Sequence, residues 1–419
     1  MPNFWTKLNK PIFALAPMEE VTDVAFREMF ARYSGNRSSQ WRHSKKTQPT
    51  EARANDQSVG RESQIRDPSD ALRMTSTMNP FVMYTEFVNV DGLTHPEGYK
   101  RLSLDLKFTD IQRPMVAQIW GNNPDKFFEA AKICAGLGFD GIDINMGCPQ
   151  DKEIGQGTCA ALIRQPELAG EIIQATIEGA KTPTTPSRSA GHPSFAGGEA
   201  PQLSSDVVRS LSSFSKEEYP AERGEVVGLP VSVKTRLGYS KTDEMENWVS
   251  HLLKFDIAAL ALHARTKQEK SKVPAHWEAI AEAVKIRDKC QENREKDNHT
   301  LIIGNGDIKS REEGLARIKE TDCDGVMIAR GAFGNPWIFR EDNYQPTIKE
   351  RLSVMLEHAE LFEKYFSGIK SFVIMRKHFK AYASGFDGVA ELRAKLMETK
   401  SLEETKVVVD EFLKTTTTF

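Results

Sequence analysis

The chain has 419 residues, a formal net charge of −3 and 39% hydrophobic residues, enough to bury a large core. A pI near 6.4 excludes a globally basic nucleic-acid binder, so any RNA contact must come from a local patch. Five cysteines, with no CxxC pair and no His/Cys cluster at metal-ligand spacing, point to reduced thiols in a cytoplasmic protein, and no apolar run reaches the roughly 18 residues of a membrane span.

Eight short apolar or β-branched runs follow one another: IFALAP (12–17), FVMYTEF (81–87), PMVAQIWG (114–121), GIDINMG (141–147), PVSVKTR (230–236), IAALALH (257–263), LIIGNGD (301–307) and GVMIARG (325–331). Most are nearly continuous, as expected of parallel strands buried on both faces. Helical patterns lie between them at 22–33, 124–137, 166–179, 242–255, 275–289 and 310–319. In NPDKFFEAAKICAGLG, Asn123 is the expected N-cap, Pro124 the first helical residue and Gly136 or Gly138 the stop. Alternation of strand and helix predicts an α/β (β/α)8 TIM barrel over 1–340.

Two stretches do not fit the alternation. Residues 34–78 are polar and aperiodic, and residues 181–224 contain 18 Pro, Ser or Gly among 44. Both are expected to be disordered inserts on the face opposite the active site. From 341 to 419 the pattern is helical throughout, which predicts a C-terminal all-helical domain. Within 364–395 it carries seven Lys/Arg against two Asp/Glu, a local basic surface.

Barrel chemistry sits at the C-terminal ends of the strands. Those ends present Pro17 and Met18, Glu86, Gln118, Asn145 and Cys148, Lys234 and Arg236, His263 and Arg265, Asn305 to Asp307, and Ala329 with Arg330. At the last two predicted strands, Gly306 and Gly331 permit close backbone approach and Arg330 supplies a fixed cation, a pairing that suits the phosphate of a cofactor such as FMN. Lys234 would then lie near the N1/O2 edge of the flavin ring and Gln118 near its polar edge. Cys148, in a Gly-Cys-Pro turn at a strand mouth, is placed for chemistry; Cys134, Cys290 and Cys323 are placed for packing or loops.

In order and spacing, APMEEVTD, MYTEFVNVDGL, AQIWG, DGIDINMGCP, VSVKTRLGY, LHARTKQ, GNGDI, DGVMIARGAFGNPWIF and MRKHFKAYASGFDGVAELR resemble the tRNA-dihydrouridine synthase family over nearly the whole chain outside the inserts. The resemblance implies NADPH-driven reduction of the C5–C6 double bond of uridines in tRNA, with FMN as cofactor. It sets Pro17, Met18, Glu19, Gln118, Lys234, His263, Asn305, Gly306, Asp307, Ala329 and Arg330 against FMN. Cys148 becomes the acid that protonates C5 after hydride reaches C6, with an ordinary thiol pKa near 8.5 keeping it protonated. Asn145, Arg236 and Arg265 would line the uracil pocket. Lys370, Arg376, Lys377, His378 and Lys380 would hold tRNA phosphates, with Phe379 and Tyr382 in the core. The implied partners are tRNA and NADPH, with the protein a monomer.

Two departures from the family pattern stand out. Cys159 replaces a small residue and brings a second thiol within reach of Cys148 on oxidation, and Glu19 and Glu20 follow APM where small residues are common. Two other readings compete: a small-molecule FMN oxidoreductase of the dihydroorotate or dihydropyrimidine type, which has no use for a basic helical tail, and a catalytically idle RNA-binding barrel, which has no use for Cys148 or Lys234.

Overall fold

A computed structural model describes residues 3–35, 80–182, 228–295 and 299–416, so most of the two predicted inserts lies outside the described residues. Strands β1 (Ile12–Leu15), β2 (Phe81–Tyr84), β4 (Met115–Trp120), β5 (Gly141–Met146), β6 (Val231–Arg236), β7 (Ala259–His263), β8 (Leu301–Asn305) and β9 (Gly325–Ile328) run parallel. Pairing of β2 with β4, Met83 opposite Met115, closes them into an eight-stranded barrel. The predicted FVMYTEF run is shortened: β2 ends at Tyr84, and a two-residue strand β3 (Val88–Asn89) that follows pairs with β4.

Alternation along each strand sorts the side chains between two cores. Ile142, Ile144, Val231 and Val233 face the helices, which leaves Asp143, Asn145, Ser232 and Lys234 facing the barrel axis. The floor of the barrel is filled by Phe4, Trp5, Ile12, Ala14, Val82, Tyr84, Val116, Ala261, Ile303 and Met327. Ala14 on β1 and Ala261 on β7 share this cluster with the larger Tyr84 and Met327, so the interior is a packed core rather than a pore.

The predicted helices are present as α1 (Val24–Tyr33), α4 (Pro124–Gly136), α6 (Pro166–Lys181), α7 (Met245–Leu252), α8 (Trp277–Cys290) and α9 (Arg311–Thr321). Asn123 caps α4 as expected, its Oδ1 accepting the N–H of Asp125 at 3.0 Å. Three short helices were not expected from the sequence: α2 (Val90–Leu93), α3 (Pro96–Leu102) and α5 (Asp151–Gly155). A Cβ at Gly98 would fall 2.1 Å from the Gly92 carbonyl oxygen, so the missing side chain at Gly98 lets α2 and α3 touch. Cys290 closes α8, exposed, rather than lying in a loop.

Four helices form the C-terminal part: α10 (Ile348–Phe366), α11 (Arg376–Tyr382), α12 (Val389–Glu398) and α13 (Leu402–Thr416). Their core is continuous with Val24, Ala25, Met29 and Tyr33 of α1 and with Trp337. Buried polar contacts fix the docking: the Tyr33 hydroxyl donates to Glu357 at 2.7 Å, and that of Tyr365 to Glu28 at 2.6 Å. Phe379 and Tyr382 are buried, as expected. His378 is buried too, against His358, Phe26 and Phe333, so it is withdrawn from the basic surface assigned to it.

Candidate active site

The turn carrying Cys148 is built on Asn145. Its Oδ1 accepts the N–H groups of Gly147 and Cys148, each at 3.0 Å, which holds the chain in a tight turn as it leaves β5. Arg236 pins the turn from β6, donating from Nε to the Gly147 carbonyl at 2.7 Å and from Nη1 to Thr266 and Lys270 carbonyls at 3.2 Å. Cys148 is half-buried, and the fully buried Cys159, at φ 55°, lies beside it while Ala160 N–H donates to the Cys148 carbonyl at 3.3 Å. Both sulfurs are free thiols. The S–H of Cys159 lowers the Cys148 pKa, outweighing the opposing effect of burial. The thiol is therefore more acidic than the ordinary cysteine expected from sequence.

Below this turn, inside the barrel, lies a polar layer. Asn145 Nδ2 donates to Gln118 Oε1 at 3.2 Å, Gln118 Nε2 donates to Asp143 Oδ2 at 2.7 Å, and the Ser232 hydroxyl donates to Asp143 Oδ1 at 2.6 Å. Burial pushes the Asp143 carboxyl up to about 6, against the pull of those bonds and of Lys234. Burial, helped by Arg236, pushes Lys234 down to about 8. Asp143 and Ser232 were not singled out from sequence. The available signal was a carboxylate between two isoleucines in GIDINMG, because an unpaired charge is rarely left in a strand interior.

At β7 to β9 the predicted residues come together, but several brace one another. Arg265, 2% exposed, donates to the Val273 carbonyl at 2.6 Å, to His263 Nε2 at 3.2 Å and to Asp307. Asp307 also accepts from Arg330 at 2.6 Å and from the Ala275 N–H at 3.2 Å. Burial pushes its carboxyl up, yet the Arg265 guanidinium prevails and the net shift is down. His263 is half-buried at the end of β7; desolvation, and then the neighbouring Arg236, Lys234, Arg265 and Arg330, hold it neutral, well below the usual imidazole range. Asn305 crosslinks the strand ends by donating to the Met327 carbonyl at 2.7 Å. A Cβ at Gly306, where φ is 143°, would lie 2.8 Å from Ala275, and one at Gly331 would lie 2.5 Å from the Ile308 carbonyl oxygen. Arg330 and Ala329 stand at the open rim beside this backbone.

A family model described as dihydrouridine synthase (Dus) matches residues 14–191 and 221–417. The chain belongs to the dihydrouridine synthase family. It is 36% identical over 411 residues to a probable tRNA-dihydrouridine synthase of Staphylococcus aureus (strain MRSA252), covering 98% of this chain and 95% of that one. A protein of the same description from Staphylococcus epidermidis (strain ATCC 12228 / FDA PCI 1200) is 35% identical, and probable tRNA-dihydrouridine synthase 2 of Bacillus subtilis (strain 168) is 34% identical, each alignment covering 98% of this chain and 96% of the relative.

In this member of the family the helical part reaches back to the barrel mouth. Lys370 pairs with Asp105 at 3.1 Å and approaches Glu86 at 3.9 Å, and Lys377 donates to the Glu20 carbonyl. Glu86, at the end of β2, accepts the Glu20 N–H at 2.5 Å, and burial pushes its carboxyl up to about 7 against the pull of Lys370. Pro17 and Met18 line the rim half-exposed, with the Met18 N–H donating to the Thr22 hydroxyl at 3.0 Å. Glu19 accepts from Gln150 at 2.9 Å, tying the first loop to the segment after Cys148. Arg376 donates to the Thr399 and Glu398 carbonyls at 3.2 and 3.1 Å, whereas Lys380 is exposed. Among the described residues no helix is long and apolar enough to cross a membrane, and no group of three or more metal-ligating side chains occurs.

Proposed function

We propose that this chain reduces the C5–C6 double bond of uridines in tRNA to dihydrouridine, in the cytoplasm, with FMN as its cofactor and NADPH as the reductant. The observation that carries the reading is the Cys148 thiol, fixed by Asn145 on one side of the mouth, with the Gly306, Gly331 and Arg330 backbone cradle on the other and Lys234 between. The loop suits a phosphate: neither glycine has room for a Cβ, which would meet Ala275 at 2.8 Å or the Ile308 carbonyl oxygen at 2.5 Å, so bare backbone is kept there, and the exposed Arg330, paired with Asp307 through one nitrogen, keeps further donors for charge-assisted bonds. Pro17, Met18, Gln118, Lys234, His263 and Asn305 would surround the flavin ring. FMN, when bound and reduced, supplies hydride for C6 of the uracil.

The protein's own groups do the rest. Lys234 offers positive charge where reduction of a flavin accumulates negative charge, and its lowered pKa lets that charge respond to the bound state. Neutral His263 is a hydrogen-bonding group rather than a competing cation. The Cys148 S–H donates its proton to C5 of the uracil, and Asn145 with Arg236 keeps the sulfur in place during the transfer. The target base must leave its stack to reach the mouth. Lys380 and the remaining donors of Arg376 would hold the tRNA backbone, a contact that weakens with salt.

The test is incubation with FMN, NADPH and tRNA lacking dihydrouridine, followed by mass spectrometry of the digested RNA. Dihydrouridine formation is the expected outcome. A protein that holds flavin and oxidises NADPH, yet leaves tRNA unchanged and reduces a free pyrimidine, is instead the small-molecule oxidoreductase. Cys148→Ala is expected to retain flavin and its reduction by NADPH while tRNA turnover falls by roughly 100-fold or more. Full turnover in that variant would remove Cys148 from the acid role.

A further inference from the structure

We propose that Asp143 is a positioning residue for Cys148, the acceptor-only end of a hydrogen-bond relay through Gln118 and Asn145 that fixes the turn holding the thiol. The inference rests on the acid role given to Cys148 above. Orientation in the relay is determined at both ends. Two backbone N–H groups, of Gly147 and Cys148, oblige Asn145 to turn its oxygen toward the loop, so its amide nitrogen faces Gln118. Gln118 must then offer its oxygen to Asn145 and its nitrogen to Asp143, 2.7 Å away. Only a group that accepts there satisfies the chain, and an ionised carboxylate cannot do otherwise. Ser232 occupies the second carboxylate oxygen at 2.6 Å, which leaves Asp143 no freedom to swing away.

All four side chains are between 0 and 6% exposed, so no water competes for these bonds and a reversed amide would bury unpaired donors. Lys234 and the Tyr84 hydroxyl are the other polar groups that sense Asp143, and Lys234 adds the countercharge that a buried carboxylate needs. Cys148 does not touch Asp143. The carboxylate, on β5, acts through two amides, crossing to Gln118 on β4 and returning to Asn145 at the end of β5.

Two substitutions separate the relay from mere packing. Asp143→Leu removes the acceptor while keeping the branched outline, with methyl groups somewhat larger than the oxygens they replace. Asp143→Asn keeps one, because an asparagine oxygen can face Gln118 while the Ser232 hydroxyl turns to the Ile142 carbonyl, 3.4 Å away. In Asp143→Leu, kcat on tRNA is expected to fall roughly 10- to 100-fold with KM nearly unchanged, as for a misplaced catalytic group. The rate and pH midpoint of Cys148 alkylation by iodoacetamide, read by peptide mass spectrometry, should also move. Asp143→Asn should restore both toward the wild type. Wild-type alkylation and turnover in Asp143→Leu, or an Asp143→Asn protein no better than Asp143→Leu, overturns the relay. If Asp143→Leu does not fold, Gln118→Met interrupts the same chain, and unchanged Cys148 alkylation there overturns the proposal as well. Alkylation needs no tRNA, so full turnover by Cys148→Ala would refute the acid role while leaving the relay to be judged on alkylation alone.

Discussion

Two requirements meet at Cys148. In the proposed role of proton donor the thiol has to be protonated at rest, yet the S–H of Cys159 lowers its pKa by favouring the thiolate. The result is a stronger acid held in a fixed turn. Cys159→Ala is expected to raise the pH at which Cys148 alkylates; a midpoint that stays put or falls would exclude the Cys159 contact as the cause. Arg236 and Arg265 both use their donors inside the protein. Both look like substrate-binding cations in sequence, but their guanidinium groups are occupied by Gly147, Thr266 and Lys270 carbonyls in one case, and by Val273, His263 and Asp307 in the other. Sequence spacing finds a residue at a strand end; it does not say whether the side chain turns to the mouth or to its neighbours.

At the scale of elements, loop geometry depends on particular backbone positions. Gly306 combines a φ of 143° with a crowded Cβ position, so Gly306→Ala should cost about 1–3 kcal/mol and release flavin on gel filtration. Gly155 closes α5 with open space where a Cβ would be, and Gly155→Ala should change the melting temperature little, within about 0.5 kcal/mol. Equal losses in the two variants would show that crowding at Gly306 is not the reason for its glycine. At the head of α10, Thr347 accepts the Glu350 N–H at 3.2 Å and Glu350 accepts the Thr347 N–H at 2.9 Å. Thr347→Ala should cost about 1 kcal/mol in chemical denaturation. Cap residues such as Asn123 and the strand runs were legible because they act within a few residues. Helices α2 and α3 were not, because Gly92 and Gly98 serve a contact between two elements.

For the whole molecule, the docking of the helical part onto α1 is expected to weaken in acid. Burial lowers the pKa of His358 to about 3 and that of His378 well below the usual value, and no hydrogen-bond partner meets their ring nitrogens. Such groups bind protons more readily unfolded, so the stability they permit is present above about 6.5 and is lost as pH falls toward 3. Glu86 acts in the opposite sense: its raised pKa contributes stability that is present below about 4.5 and lost as pH rises through about 7. His358→Phe should therefore flatten the fall in unfolding free energy between pH 7 and 5, by about 1.4 kcal/mol per pH unit at most. Glu86→Gln should gain stability relative to the parent at pH 8 but not at pH 4.5. A parallel pH profile in either variant would place the titration elsewhere.

The sequence by itself determined the barrel, the helical tail and the Asn145 and Cys148 turn, because strand periodicity, capping residues and a Gly-Cys-Pro turn are local and act through nearest neighbours. It also marked Gly306 and Gly331, whose need for close backbone approach follows from the residue type. Tertiary structure alone decided which charges are free. Asp143 meets Gln118 and Ser232 only when β4, β5 and β6 lie side by side, and Lys370 reaches Glu86 only when the helical part folds back over the mouth. Those contacts join residues far apart in the chain, and their partners are set by strand register and helix docking, which no local pattern encodes.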